Sequence, residues 1–343
     1  MIPFFPIIYD DELLYSSLSR YHLHSGNLTY RQTSRQLFVN CASKPNYELF
    51  NSFNNGFVEF LEMKIGEPIG DIILNHTLIK HYSRFFVNRK ELLKAISRAD
   101  STIINTLPLP EYGKRYLKYC PICVEEQRME YGECFFTCSA NLNGVNICYR
   151  HGCKLIKTDL STESKTTPAF VTAEETVPRT HKIELIKSNV EIEVAKYIVE
   201  LFKCPLDDVE ISPVGTFLKE KLQAPYICAR GEVMYRTLFW NDFLAFYDGV
   251  DLCNLTELWQ MSKLFQNKRK ATNEIALVAF FLGIPIQELA SPKPIRMLRK
   301  DVFDEAVFRL HKDGLNYMQI SKRLGSDYDY TKSIGEGRRC RKI

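Results

Sequence analysis

Two matched knuckles constrain this chain more than any other feature. Cys120 and Cys123 are separated by two residues, and after twenty-four more residues Cys148 and His151 repeat that separation. A C-x2-C turn aims two sulfurs at one point, and a C-x2-H turn supplies the other half of a tetrahedron. The spacing predicts one structural Zn2+ per chain, held by Cys120, Cys123, Cys148 and His151. Zinc accepts thiolate and imidazole together and has no redox chemistry of its own. Four protein ligands leave no coordination position for water, so the centre would hold structure rather than catalyse. Binding would fold a segment, 115–157, whose short aromatic, cysteine and glycine runs offer too little apolar surface to fold alone.

The chain has eleven cysteines, six of them between Cys120 and Cys153. The opening MIPFFPIIYDDE is apolar but has no basic n-region, so it does not read as a signal peptide. Without an export signal, clustered cysteines point to metal rather than to a disulfide framework. Cys134, Cys138 and Cys153 are nearby spares, and Cys134-x3-Cys138 is an alternative second metal pair or ligand replacement. Cys41, Cys204, Cys228 and Cys253 are expected to be small buried hydrophobes. The longest apolar run, Ile275–Ile286, is twelve residues, against the ~20 needed to span a bilayer. A cytoplasmic protein with no membrane partner is expected.

Outside the knuckles the patterning is helical. Asp10 and Asp11 are expected to cap a helix ELLYSSLSRYHLHS, with Leu14, Leu18 and Tyr21 on one face and Gly26 as its stop. Thr29 caps a second helix, and Asn88 with Glu91 suggests a capping box opening RKELLKAISRA. No alternating strand pattern of useful length precedes residue 115. The fold class is therefore mainly α: helical domains around a small zinc-ribbon insertion, with a carboxy-terminal helix-turn-helix. Expected boundaries are 1–114 for an amino-terminal helical region, 115–157 for the ribbon and 158–182 for a Ser/Thr-rich linker. A helical region over 183–294 and a basic helix-turn-helix over 295–343 complete the chain. His22 and His24, two apart, project from different sides of a helix and do not form a metal pair. The sequence contains no G-x-S-x-G, H-E-x-x-H, Walker or dinucleotide-binding glycine motif, so no enzyme is expected.

Positive charge is concentrated at one end. Residues 295–343 carry twelve Lys/Arg against seven acids, a surplus of five, while residues 1–294 have one net negative charge. Such asymmetry points to a polyanion. The same stretch has a helix-turn-helix pattern. Ala306, Phe308 and Leu310 sit in a first helix ended by Asp313-Gly314. Asn316 caps a second, in which Met318, Ile320 and Leu324 face inward. Gly325 makes the turn to a third helix from about Asp327 to Ile334, where Thr331 falls at a position suited to a buried aliphatic. If this last helix enters the major groove, Tyr328, Tyr330, Lys332 and Ser333 reach base edges or phosphates of double-stranded DNA. Arg338, Arg339, Arg341 and Lys342 then form a phosphate-binding tail.

Three blocks resemble the TnsD/TniQ family of transposon target-site selection proteins. They are FPIIYDDELLYSSLSRYHLHSGN, IILNHTLIKHYSRFFVNRKELLKAI and YCPICVEEQRMEYGE…ICYRHGCKL, with a weaker match in ATNEIALVAFFLGIPIQEL. The resemblance covers most of the chain to about residue 290 and maps the family's zinc ligands onto Cys120, Cys123, Cys148 and His151. It implies a non-enzymatic, nucleoid-associated bacterial protein that marks an insertion site. Such a protein recruits an AAA+ regulator ATPase and, through it, the transposase complex. Alternatives are a TniQ-type adaptor on a CRISPR RNA-guided complex or a zinc-containing transcription regulator.

Overall fold

The computed structural model describes residues 2, 4–86, 88–107, 115–162, 169–208, 211, 213–222, 226, 236–252, 254–268, 270–292, 300–324 and 326–337. Helices dominate, and the only sheet among the described residues has two strands. The chain divides into two compact units. One comprises Met1–Glu210 and Ala271–Ala276, the other Ile211–Lys270 and Leu277–Ile343.

The first unit opens with α1 (Leu14–His24), α2 (Tyr30–Leu37), α3 (Asn55–Ile65), α4 (Ile69–His76), α5 (Ile79–Ser83) and α6 (Arg89–Ile96). α1 buries Leu14, Leu18 and Tyr21 on the expected face. α2 begins with a capping box in which Thr29 and Gln32 satisfy each other's backbone N–H groups. Two expected caps are absent. α1 starts at Leu14 after an uncapped Leu13, because Asp11 and Glu12 before it are engaged elsewhere in the fold. Asp11 takes a left-handed backbone, φ 58°, and its carboxylate accepts from the N–H and hydroxyl of Ser139. Glu12 is buried and pairs with Arg20 at 2.8 Å. At α6, the Asn88 amide donates to the Glu91 carboxylate at 2.5 Å instead of the asparagine capping the backbone.

β1 (Tyr116–Tyr119) follows, then α7 (Pro121–Tyr131), the single turn α8 (Cys138–Asn141) and β2 (Ile156–Ser161). β1 and β2 pair antiparallel with Tyr119 opposite Ile156. α9 (Ala173–Thr176) and α10 (Asn189–Lys203) follow, and Ala271–Ala276 joins the unit from later in the chain. The buried Arg84 side chain closes the carboxy end of α10: its guanidinium donates to the carbonyls of Leu201, Cys204 and Pro205 at 3.0, 2.6 and 2.8 Å. These are orphan acceptors at the negative end of the helix dipole, so a cation satisfies both needs. Burial pulls the Arg84 pKa down to about 10, and the neighbouring Arg89 adds to the shift.

The second unit contains α11 (Val214–Glu220), α12 (Arg236–Phe246), α13 (Leu258–Phe265), the second half of α14 (Thr272–Phe281) from Leu277 on, and α15 (Ile286–Ala290). Phe239 and Phe243 of α12 meet the Phe281 ring near edge-on, with centroids 5.3 and 5.6 Å apart. That geometry places positive ring edges against a negative face. Gly215 allows α11 to lie against the end of α13: an added Cβ would stand 2.5 Å from the Leu264 carbonyl oxygen.

The last three helices of this unit are α16 (Lys300–Lys312), α17 (Tyr317–Arg323) and α18 (Tyr328–Gly335). Val307, Leu310, Leu315 and Ile320 form their buried centre, with Tyr317, Leu324 and Ile334 packed around it. Gly314, at φ 91°, follows the end of α16, and Asn316 with Gln319 makes the capping box of α17. Met318 does not face inward as its position suggested; it is 41% exposed, and Tyr317 packs there instead. Thr331 is fully buried. Its hydroxyl donates to the Asp327 carbonyl at 2.8 Å, which satisfies a polar group where an aliphatic was expected. Gly325 lies outside the described residues.

Candidate functional site

The backbone builds both knuckles from short local rules. Cys120 follows β1 directly and is the N-cap of α7, its sulfur accepting the Cys123 N–H at 3.4 Å. Pro121 occupies the first helical turn, where its missing N–H costs nothing. The second knuckle closes as Gly152 N–H donates to the Cys148 carbonyl at 2.8 Å and Cys148 N–H to that of Cys153 at 2.8 Å. Gly152 holds φ 60°, and Ile192 of α10 would lie 3.2 Å from any Cβ there.

These turns bring Cys120, Cys123, Cys148 and His151 together, one donor atom from each lying within 4.8 Å of all the others. Nδ1 of His151 stands 3.4, 3.3 and 3.5 Å from the sulfurs of Cys120, Cys123 and Cys148, and the last two sulfurs are 3.7 Å apart. A tetrahedron with metal–sulfur bonds of ~2.3 Å and metal–nitrogen bonds of ~2.0–2.1 Å has edges of roughly 3.5–3.8 Å. The donor set fits one such ion. Cys120 and Cys148 are buried, and Cys123 is partly so.

The far nitrogen of the histidine is engaged as well. Nε2 of His151 lies 3.1 Å from Oε1 of Glu126, whose other oxygen accepts from Arg150 at 3.0 Å. A carboxylate behind a metal-binding imidazole fixes its tautomer and raises its basicity. Sequence reading missed Glu126, although it stands three residues after Cys123 on α7, on the side of the helix that faces the second knuckle.

The remaining cysteines occupy other surroundings. Cys134 is buried, its N–H donating to Glu174 at 2.8 Å, and burial pushes its thiol up to about 12. Cys138 is fully buried near the carbonyls of Glu12 and Asn75, and burial raises its thiol too. Among the described cysteines outside the set, only Cys153 approaches the four converging residues, with its sulfur 3.4 Å from that of Cys120. Cys41 is exposed and Cys204 partly exposed, against the expectation of burial; Cys228 and Cys253 lie outside the described residues. His22 bonds Thr33 through Nδ1 at 2.6 Å and packs on Phe170.

On α18, Tyr328 and Lys332 share a face, the ammonium 5.8 Å from the ring centroid. The Ser333 hydroxyl bonds back to the Tyr330 carbonyl at 2.7 Å, and Tyr330 is exposed. Arg338, Arg339, Arg341 and Lys342 lie outside the described residues.

Residues 3–155 match the TniQ family model. The span contains both knuckles, and this part of the chain is similar to the TniQ family, a likeness that suggests a transposition-associated adaptor or DNA-binding role. A search of curated proteins finds no match for the chain. Among the described residues no helix is long and apolar enough to cross a membrane.

Proposed function

We propose that the chain is a non-enzymatic target-site selector for a transposon, binding duplex DNA at the insertion site and recruiting an AAA+ regulator ATPase and its transposase. The TniQ match over residues 3–155 carries this reading. The four converging ligands would hold Zn2+, which keeps the knuckles folded and leaves no open position for chemistry. The basic surplus of residues 295–343 supports assigning the DNA contacts to α16–α18, read as a helix-turn-helix with α18 in the major groove. Tyr328, Tyr330, Lys332 and Ser333 then face bases or phosphates, and Arg338, Arg339, Arg341 and Lys342 neutralise backbone charge.

The near-neutral charge of residues 1–294 favours a second reading, an adaptor that touches mainly protein or an RNA-guided complex. Fluorescence anisotropy with duplex DNA at several salt concentrations separates the two. If four to six cations neutralise phosphates, log K falls against log salt with a slope of roughly −4 to −5. Removing everything after Pro294 abolishes binding under the selector reading and leaves association with the ATPase intact. Changing Tyr328 or Lys332 alters preference between sequences, whereas neutralising the four tail cations weakens all sequences alike. Absence of duplex binding by the intact chain at low salt would favour the adaptor.

A further inference from the structure

Cys153 belongs to neither knuckle, yet its sulfur lies 3.4 Å from that of Cys120. Both side chains are buried, Cys153 at 0% and Cys120 at 3% exposure. The backbone fixes this contact from two sides. Cys148 N–H donates to the Cys153 carbonyl, Ile147 bridges to Lys154, and Leu155 N–H donates to the Asn146 carbonyl at 2.9 Å. On the other side Cys153 bridges to Leu185, and Ile186 N–H donates to the Gly152 carbonyl at 2.8 Å. The hairpin that carries the second knuckle thus delivers a fourth sulfur to a ligand of the first, outside the completed set of four donors.

We propose that Cys153 is a positioning residue of the metal centre, its thiol donating an S–H···S hydrogen bond to the Cys120 thiolate. The inference rests on the zinc reading above. In a pair of free thiols the bond runs in either direction. Once Cys120 binds a metal it has lost its proton, and only Cys153 has one to give. Three thiolates and a neutral imidazole around Zn2+ leave one net negative charge in a largely buried place. Such charge is costly unless donors spread it. Cys120 already accepts the Cys123 N–H. Cys153 supplies a second donor from a direction no backbone N–H occupies among the bonds described.

The test uses the full chain with Cys153→Ala, which deletes the donor, and Cys153→Ser, which keeps a hydroxyl at nearly the volume of alanine. Zinc affinity is read by competition with a chromogenic chelator. The sulfur-to-metal charge-transfer band of the Co2+-loaded protein reports thiolate electron density, which packing alone does not move. Cys153→Ala is expected to weaken zinc binding about tenfold, in the range for partners behind a ligand, and to shift the band to lower energy. Cys153→Ser is expected to fall between alanine and the native chain in both readouts. Native affinity and an unmoved band in Cys153→Ala would overturn the proposal, and so would identical behaviour of the two variants. If the alanine variant fails to fold, Cys153→Val, which fills the site without a donor, replaces it, and native affinity with an unmoved band there overturns the proposal equally. Failure of the native chain to take up zinc or cobalt would remove the metal reading itself and this one with it.

Discussion

Glu126 stands behind His151 with Oε1 3.1 Å from Nε2, while Nδ1 of the same ring faces three sulfurs. The imidazole is thereby held in one tautomer and one orientation, with its metal-facing nitrogen free of a proton. Glu126→Ala is expected to weaken zinc binding by about tenfold or more, and Glu126→Gln by less, because the amide still engages the ring. Chelator competition measures both. Equal affinity in all three proteins would show that the carboxylate only pairs with Arg150.

Purified protein is expected to contain about one zinc per chain by elemental analysis. A Cys120→Ser, Cys148→Ser double variant should lose the metal, and prolonged chelation of the native chain should lower its melting temperature markedly. Retention of full metal and full stability by the double variant would sink the assignment.

Arg84 offers a stability test away from the metal. Arg84→Met fills much of the volume but leaves the Leu201, Cys204 and Pro205 carbonyls without their donor. Buried groups stripped of partners cost about 1–3 kcal/mol each, partly relieved by local relaxation, so a loss of about 2–4 kcal/mol is expected. Urea unfolding that starts from the same midpoint as the native chain would contradict it.

Two buried groups of the first unit act on acid stability with opposite sign. His81 is buried among Arg84, Lys118 and Arg115, its Nε2 has no partner in the described structure, and burial depresses its pKa from 6.5 to about 3. The unfolded chain therefore binds a proton that the folded chain refuses. Stability from this group is present above pH 6.5 and is lost, by about 1.4 kcal/mol per pH unit, as pH falls toward 3. Burial raises Asp11 from 3.8 to about 6, so there the folded state binds the extra proton. Its contribution is fully present below pH 3.8 and is lost as pH rises through 6. The two nearly cancel between pH 4 and 6 in the native chain. Asp11→Asn, which tolerates the left-handed backbone, should steepen the loss of stability on acidification, whereas His81→Gln should reverse its sign. Denaturation midpoints across this range that are unaltered by either change would refute the assignment.

Local signals were legible in the sequence, and long-range ones were not. The two knuckles and the caps at Thr29 and Asn316 depend on residues within one turn of each other, and the structure places them as read. Asp10, Asp11 and Asn88 carry the same capping chemistry but miss the backbone they precede. Asp11 instead finds Ser139, more than a hundred residues away, a competition that no local pattern reveals. Met318 was misplaced because a seven-residue helix gives too few turns to separate its inner stripe from its edge. Residues 271–276 join the first unit although the chain on either side of them belongs to the second. Thr272 makes that link through a hydrogen bond to the His81 carbonyl, and hydrophobic periodicity says nothing about it.

The single turn α8 has a consequence for how the knuckle segment is handled. Leu13 N–H donates to the Phe136 carbonyl and Cys138 N–H to that of Asp11, both at 2.7 Å, while Glu12 bridges to Thr137. The chain entering α1 is thus stitched, residue by residue, into the middle of the metal-binding loop. A peptide spanning only 115–161 would retain its four ligands yet expose backbone groups that have their partners a hundred residues upstream. Grafting the ribbon onto another scaffold, or reducing it to a minimal peptide, must carry residues 9–24 with it, the bridging segment and its helix together.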